Sequence, residues 1–175
     1  MTVKRRVISG LCLLAGLAVA GYTRLFWVRT HFPSPGSVAR LNRELPSLPV
    51  VDASGRIVDI SKATLGGKSI VVFYSASCHA CELVLPELQP FPPTLRLLLV
   101  NEGAGLSSSS RYKTGFEKAL HFCDRNGVRS RSFPMSGLPT ILFVDERGVL
   151  RDGLVGKHSR EIVQRKLKAF AEISP

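Results

Sequence analysis

Ser69-Ile70-Val71-Val72-Phe73-Tyr74 runs through Ser75-Ala76-Ser77 into Cys78-His79-Ala80-Cys81-Glu82-Leu83-Val84-Leu85-Pro86-Glu87-Leu88. The first six residues form an apolar, β-branched run, which predicts a strand buried on both faces. A helix is expected from about Cys78 to Leu88, interrupted by Pro86. Two cysteines at this spacing can meet in a small disulfide ring. The helix N-terminus favours thiolate at the first of them. Cys78 therefore reads as the nucleophile, and Cys81, one turn further in, as the thiol that resolves the mixed disulfide. An imidazolium on His79 would stabilise the neighbouring thiolate and point to a moderately oxidising couple. An exposed His79 without influence is the alternative. A structural zinc site would need two more ligands. His31, His121 and His158 are scattered and Cys123 stands alone, so no metal is expected.

Moving outward, Val50-Val51 and Arg56 to Ile60 read as a hairpin around the polar turn Asp52-Ala53-Ser54-Gly55. Ser61 to Lys68 is a short turn or helical piece. Leu95 to Val100 is a second buried strand. Gly103 to Ser110 is a Gly/Ser loop, and Arg111 to Asp124 is expected to be helical, stopped by Asn126-Gly127. Cys123 would then be a small buried residue on that helix. Ile141 to Val144, the turn Asp145-Glu146-Arg147-Gly148 and Val149 to Val155 predict another hairpin. Ser159 is placed to cap a last helix ending near Ala171, with Ile162, Val163, Lys166, Leu167 and Phe170 at helical spacing. The order hairpin, strand, helix, strand, helix, hairpin, helix predicts an α/β domain with helices on both faces of a central mixed sheet.

The Ser77 to Leu88 stretch resembles the active-site helix of the thioredoxin superfamily. Pro86 lies five residues after the second cysteine, where that family carries its helix-kinking proline. Gly137-Leu138-Pro139-Thr140, ahead of an apolar strand, resembles the family's cis-proline loop. With its leader and its first hairpin, the chain looks most like the TlpA/ResA-type extracytoplasmic redoxins, with a weaker similarity to the methylamine-utilisation accessory thioredoxins. The resemblance covers roughly residues 45–172. It implies a thioredoxin-like fold, no cofactor beyond the dithiol, and a substrate-binding role for Leu138, Pro139 and Thr140. A cis Pro139 would leave the carbonyl and N–H of Leu138 to pair with an extended substrate strand. Two positions depart from the pattern. Ser77 stands where the family often has tryptophan, and Val72 where cytosolic thioredoxins bury an aspartate. Glu82 and Glu102 are candidate proton acceptors for Cys81.

Four segments are expected: a basic cytoplasmic N-terminus (1–6), a transmembrane signal anchor (7–28), a proline-rich linker (29–47) and the thioredoxin-like domain (48–175). Val7 to Tyr22 is free of charge, and Tyr22 and Trp27 suit a membrane interface. A cleaved signal peptide ending at Ala18-Val19-Ala20 is the competing reading. Arginines flank both sides of the span, so charge alone does not orient it, and the extracytoplasmic placement leans on the resemblance. The net charge of +11 comes from 24 basic and 13 acidic residues. Without a basic face interleaved with stacking aromatics, no nucleic-acid partner is expected. The function read from the chain is thiol–disulfide exchange with protein substrates, coupled to a membrane redox partner. Cytochrome c maturation or disulfide supply to one enzyme are suggested by the resemblance. Its rivals are a Sco-like copper chaperone, which would space its cysteines by three and add a downstream histidine, and a redox-inactive docking domain.

Overall fold

The computed structural model describes residues 36–37, 42–103, 115–125, 127 and 137–173. The expected anchor at 7–28 lies outside them. Among the described residues no helix is long and apolar enough to cross a membrane.

The elements in chain order are β1 (Gly36–Ser37), β2 (Arg43–Glu44), β3 (Pro49–Asp52), β4 (Ile57–Asp59), α1 (Ile60–Ala63), β5 (Ser69–Tyr74) and α2 (His79–Val84). A 3-10 turn (Leu85–Leu88) follows. Then come β6 (Arg96–Glu102), β7 (Leu120–Asp124), β8 (Thr140–Val144), β9 (Val149–Val155) and α3 (Arg160–Glu172). One sheet runs β1-β9-β8-β5-β6-β7-β3-β4, with β2 also on β9. β5 lies at its centre, buried along its whole length, parallel to β6 and antiparallel to β8. A parallel neighbour requires a crossover, and α2 with its 3-10 turn supplies it.

Alternation along β5 feeds two cores. Ile70, Val72 and Tyr74 face α2 and α3, where Cys81, Leu85, Leu88, Val163, Leu167 and Phe170 close over them. Phe143 of β8 sits in this core with its ring edge-on to Phe170, centroids 5.5 Å apart. Val71 and Phe73 face the other way, onto Leu98, Val100, Leu142 and Val144.

That second face corrects the end of the expected linker. Leu45, inside the stretch 29–47 read as a linker, is buried against it, together with Leu48 at the start of the expected domain and Ile60 of α1. Arg43 and Glu44 pair with Leu150 and Val149. Apolar side chains between prolines still carry transfer free energy, and here it is spent covering a sheet face. Asn42, at φ 62°, turns the chain onto the edge of β9, and its side-chain oxygen accepts from Arg151 at 3.1 Å.

The helix expected over 111–124 is a second correction. Residues 104–114 lie outside the described part, and Leu120–Asp124 is a strand, parallel to β6 and antiparallel to β3. Phe116, Ala119, Leu120 and Cys123 happen to carry helical spacing. Over so short a stretch periodicity cannot separate the two readings, and ladder pairing on both sides decides for strand. Cys123 is nonetheless fully buried, and its thiol donates to the carbonyl of Gly103 at 3.2 Å.

The β8–β9 turn is organised by Asp145. Its carboxylate accepts from the N–H groups of Arg147 (3.0 Å) and Val149 (2.9 Å) and from the Arg151 guanidinium (2.8 Å). Burial alone would push this carboxyl up. The Val149 N–H, the Arg151 side chain and the Arg147 N–H outweigh that and hold it below the ordinary aspartate range. Gly148 closes the turn at φ +80°, and a Cβ there would come within 3.0 Å of Leu65. Ser159 stands at the N-cap of α3 without a side-chain capping bond, its hydroxyl being given to Glu161. Within the run Arg165 to Lys168 the basic residues lie on the outer side of α3: Arg165 and Lys168 are exposed and Lys166 pairs with Asp152, while Leu167 faces the core.

Candidate active site

The sheet pairing assembles the site. β5 ends at Tyr74, and β8, running the opposite way, begins with Thr140 across from Phe73. Whatever follows Tyr74 therefore lies beside whatever precedes Thr140. Cys78 and Cys81 follow the first, and Leu138-Pro139 precede the second.

Between β5 and α2 the chain makes a tight turn in which the Cys78 N–H donates to Ser75 O at 3.1 Å. Cys78 takes the N-cap position with extended dihedrals (φ −91°, ψ 104°). Its sulfur accepts from the Cys81 N–H at 3.2 Å, and its carbonyl from the N–H groups of Cys81 and Glu82. Capping by sulfur follows from the extended backbone at the cap, which turns the side chain over the first helical N–H groups. The two cysteines are joined as a disulfide, with Cα atoms 5.3 Å apart. Their surroundings differ. Cys81 is fully buried in the α2/α3 core, whereas Cys78 is only partly covered. An incoming sulfur can reach Cys78 and is kept from Cys81.

His79 points outward with 82% of its side chain exposed, and its Nδ1 lies 3.4 Å from Glu82 Oε2. Glu82 thus faces His79 on the outer side of the helix. Glu102 ends β6, paired in register with Asp124. Val72 is buried in the same apolar core as Cys81. Pro86 falls where α2 passes into the 3-10 turn, since a residue without N–H cannot continue the α-helical ladder. The Leu85 N–H still reaches Cys81 O and the Gln89 N–H reaches Pro86 O.

The Leu138–Pro139 peptide bond is cis, as is Gln89–Pro90. Gly137 approaches it at φ +135°, a conformation that favours glycine, with Val155 3.3 Å from where a Cβ would stand. Thr140 Oγ1 donates back to Gly137 O at 2.9 Å. The Pro139 carbonyl accepts from the Gly156 N–H at 2.8 Å. Among the described residues nothing hydrogen-bonds the backbone of Leu138, whose side chain packs against both cores. Residues 156–158, which brace this loop, carry no motif, and their only sequence signal was a glycine between a strand and a helix N-cap. Among the described residues no group of three His, Cys, Asp or Glu side chains is gathered as for a metal.

A buried central strand, a disulfide-forming cysteine pair at the start of the following helix and a cis-proline loop beside it give a thioredoxin-like fold with the geometry for thiol–disulfide exchange. No family model matches the chain. The chain is 23% identical to the thiol-disulfide oxidoreductase ResA of Geobacillus kaustophilus, over 95% of its own length and 97% of that protein. Among solved structures it is similar to StoA from Bacillus subtilis, with a TM-score of 0.54 and 19% identity over 74% of this chain and all (100%) of that one. It is also similar to the thioredoxin domain of a thiol-disulfide oxidoreductase from Bacteroides vulgatus, with a TM-score of 0.60 and 15% identity over 77% and 99%.

Proposed function

We propose that the protein exchanges disulfides with protein substrates outside the cytoplasm, held at the membrane by residues 7–28 and cycled by a membrane redox partner. The observation that carries this reading is the Cys78–Cys81 disulfide, one sulfur accessible and one buried, beside a loop with an unspent Leu138 backbone. In the oxidising direction, a substrate thiolate attacks Cys78 and expels Cys81 as thiolate. A second substrate thiolate then attacks the mixed disulfide and releases Cys78. The substrate leaves as a disulfide and the protein keeps two thiols. In the reducing direction the same steps run backwards. Leu138 and Thr140 align the substrate as an extended strand, with Pro139 lacking the N–H that would otherwise compete for a partner. His79 directly follows Cys78 on the outer side of α2, and an imidazolium there would favour the departing or attacking Cys78 thiolate. Similarity to ResA supports the redox chemistry, and the apolar leader supports the anchor. By the same similarity, cytochrome c maturation is the substrate pathway to examine first.

A membrane-impermeant maleimide added to intact cells after mild reduction tests the location. Labelling of Cys78 before lysis is the expected outcome, with Cys78→Ser as the unlabelled control. Labelling only after lysis would place the site inside and remove the extracytoplasmic reading.

A further inference from the structure

The loop that receives the substrate strand has a second wall, and its charge is unspent. β9 ends at Val155, which pairs with Thr140, and the next residue, Gly156, bonds to Pro139 O at 2.8 Å. Lys157 therefore follows, one Cα step of about 3.8 Å, from a residue fastened to the cis-proline loop. It is exposed, and among the described residues it has neither a hydrogen bond nor an ion pair. Its neighbours are committed elsewhere. His158 turns its Nε2 onto Val155 O at 3.2 Å, which folds the turn tight. Arg160 binds Glu87 at 3.5 Å and Gln89 O at 3.0 Å, and His79 faces Glu82. Of the other described carboxylates at this end, Glu161 in the first turn of α3 is engaged by Ser159 and faces Arg160. Glu102, Asp124 and Asp59 sit on β6, β7 and β4, at least three strands from β9 in the sheet order, and Asp124 is buried. At about 4.8 Å per strand, that is some 14 Å or more away.

We infer that Lys157 is a specificity-determining residue that selects substrate segments carrying acidic side chains next to the reacting cysteine. This rests on the reading of Leu138–Thr140 as the substrate-binding loop. An extended segment laid along Leu138 passes the Gly156–Lys157 turn, and a carboxylate one or two residues from its cysteine meets an ammonium that is unpaired among the described residues. The interaction is solvent-exposed, so it acts on encounter and orientation and weakens with salt.

The test uses the full chain in neutral detergent, fully reduced. Its reaction rates are compared on peptide disulfides flanked by aspartate or by lysine, and on uncharged hydroxyethyl disulfide. The acidic peptide is expected to react roughly threefold to tenfold faster than the basic one at low ionic strength, with the gap closing in about 0.5 M salt. Lys157→Glu should invert the preference, and Lys157→Gln should erase it, both leaving hydroxyethyl disulfide untouched. Equal rates for the two peptides in the native protein, or a preference that survives Lys157→Glu, would overturn the assignment. So would loss of binding to phosphatidylglycerol vesicles in Lys157→Glu with the peptide preference intact, which would give the charge to the membrane surface. Failure to reduce hydroxyethyl disulfide at all would instead strike the redox reading beneath it.

Discussion

Cys78→Ser is expected to abolish disulfide exchange, lowering turnover of a protein disulfide by roughly a thousandfold or more, because no other described thiol is accessible to a substrate. Cys123 cannot substitute for it, being fully buried and bonded to Gly103 O. The companion variant separates the two roles. In Cys81→Ser the accessible Cys78 still attacks a substrate disulfide and displaces one substrate thiolate, but nothing adjacent resolves the product. A covalent adduct should accumulate, visible by mass spectrometry as protein plus substrate and released by dithiothreitol. Equal residual turnover in the two single variants, or an adduct carried by Cys81 in Cys78→Ser, would contradict the assignment of Cys78 as the attacking sulfur.

Phe143→Ala should be the most damaging of the core truncations. The ring is fully buried in the middle of β8, enclosed by the α2/α3 core and set edge-on to Phe170. Removing it takes away the transfer free energy of a phenyl ring and leaves a cavity that a rigid sheet on one side and α3 on the other cannot close. A cost of about 3–5 kcal/mol is expected. Domains of this size are stable by about 5–15 kcal/mol, so a large part of the margin would go. Urea unfolding of the oxidised protein, followed by circular dichroism, reads this as a lower midpoint at unchanged slope. A loss under about 1 kcal/mol would mean that the β8–α3 contact contributes little to holding α3 on the sheet.

What was legible in the sequence was what local pattern encodes. Ile70 to Tyr74 announced a doubly buried strand because both faces of the run are apolar. The cysteine pair was legible from its spacing after a buried strand, while Pro86 and the Gly137 to Thr140 segment were singled out only through the resemblance to the thioredoxin superfamily. Two things depend on tertiary partners and were not legible. Leu120 to Asp124 has no strong preference of its own and becomes a strand by pairing with β6 and β3. Leu45 and Leu48 lie among prolines, and only the exposed apolar face formed by Phe73, Val100 and Leu142 gives them something to cover. The same holds within the site. That Glu82 meets His79 follows from helical i,i+3 spacing. The bracing of Pro139 by Gly156 requires β9 beside β8 and could not be read from residues so far apart in the chain.

The central claim is that Cys78 and Cys81 form a working redox couple. The direct measurement equilibrates the full-length protein in detergent with graded glutathione and dithiothreitol buffers, and counts free thiols by mass after quenching. The account predicts one reversible two-electron transition, lost in Cys78→Ser, at a potential within the thioredoxin-fold range of about −270 to −120 mV. Thiols that stay oxidised or stay reduced across the whole series, with no reversible transition, would contradict it.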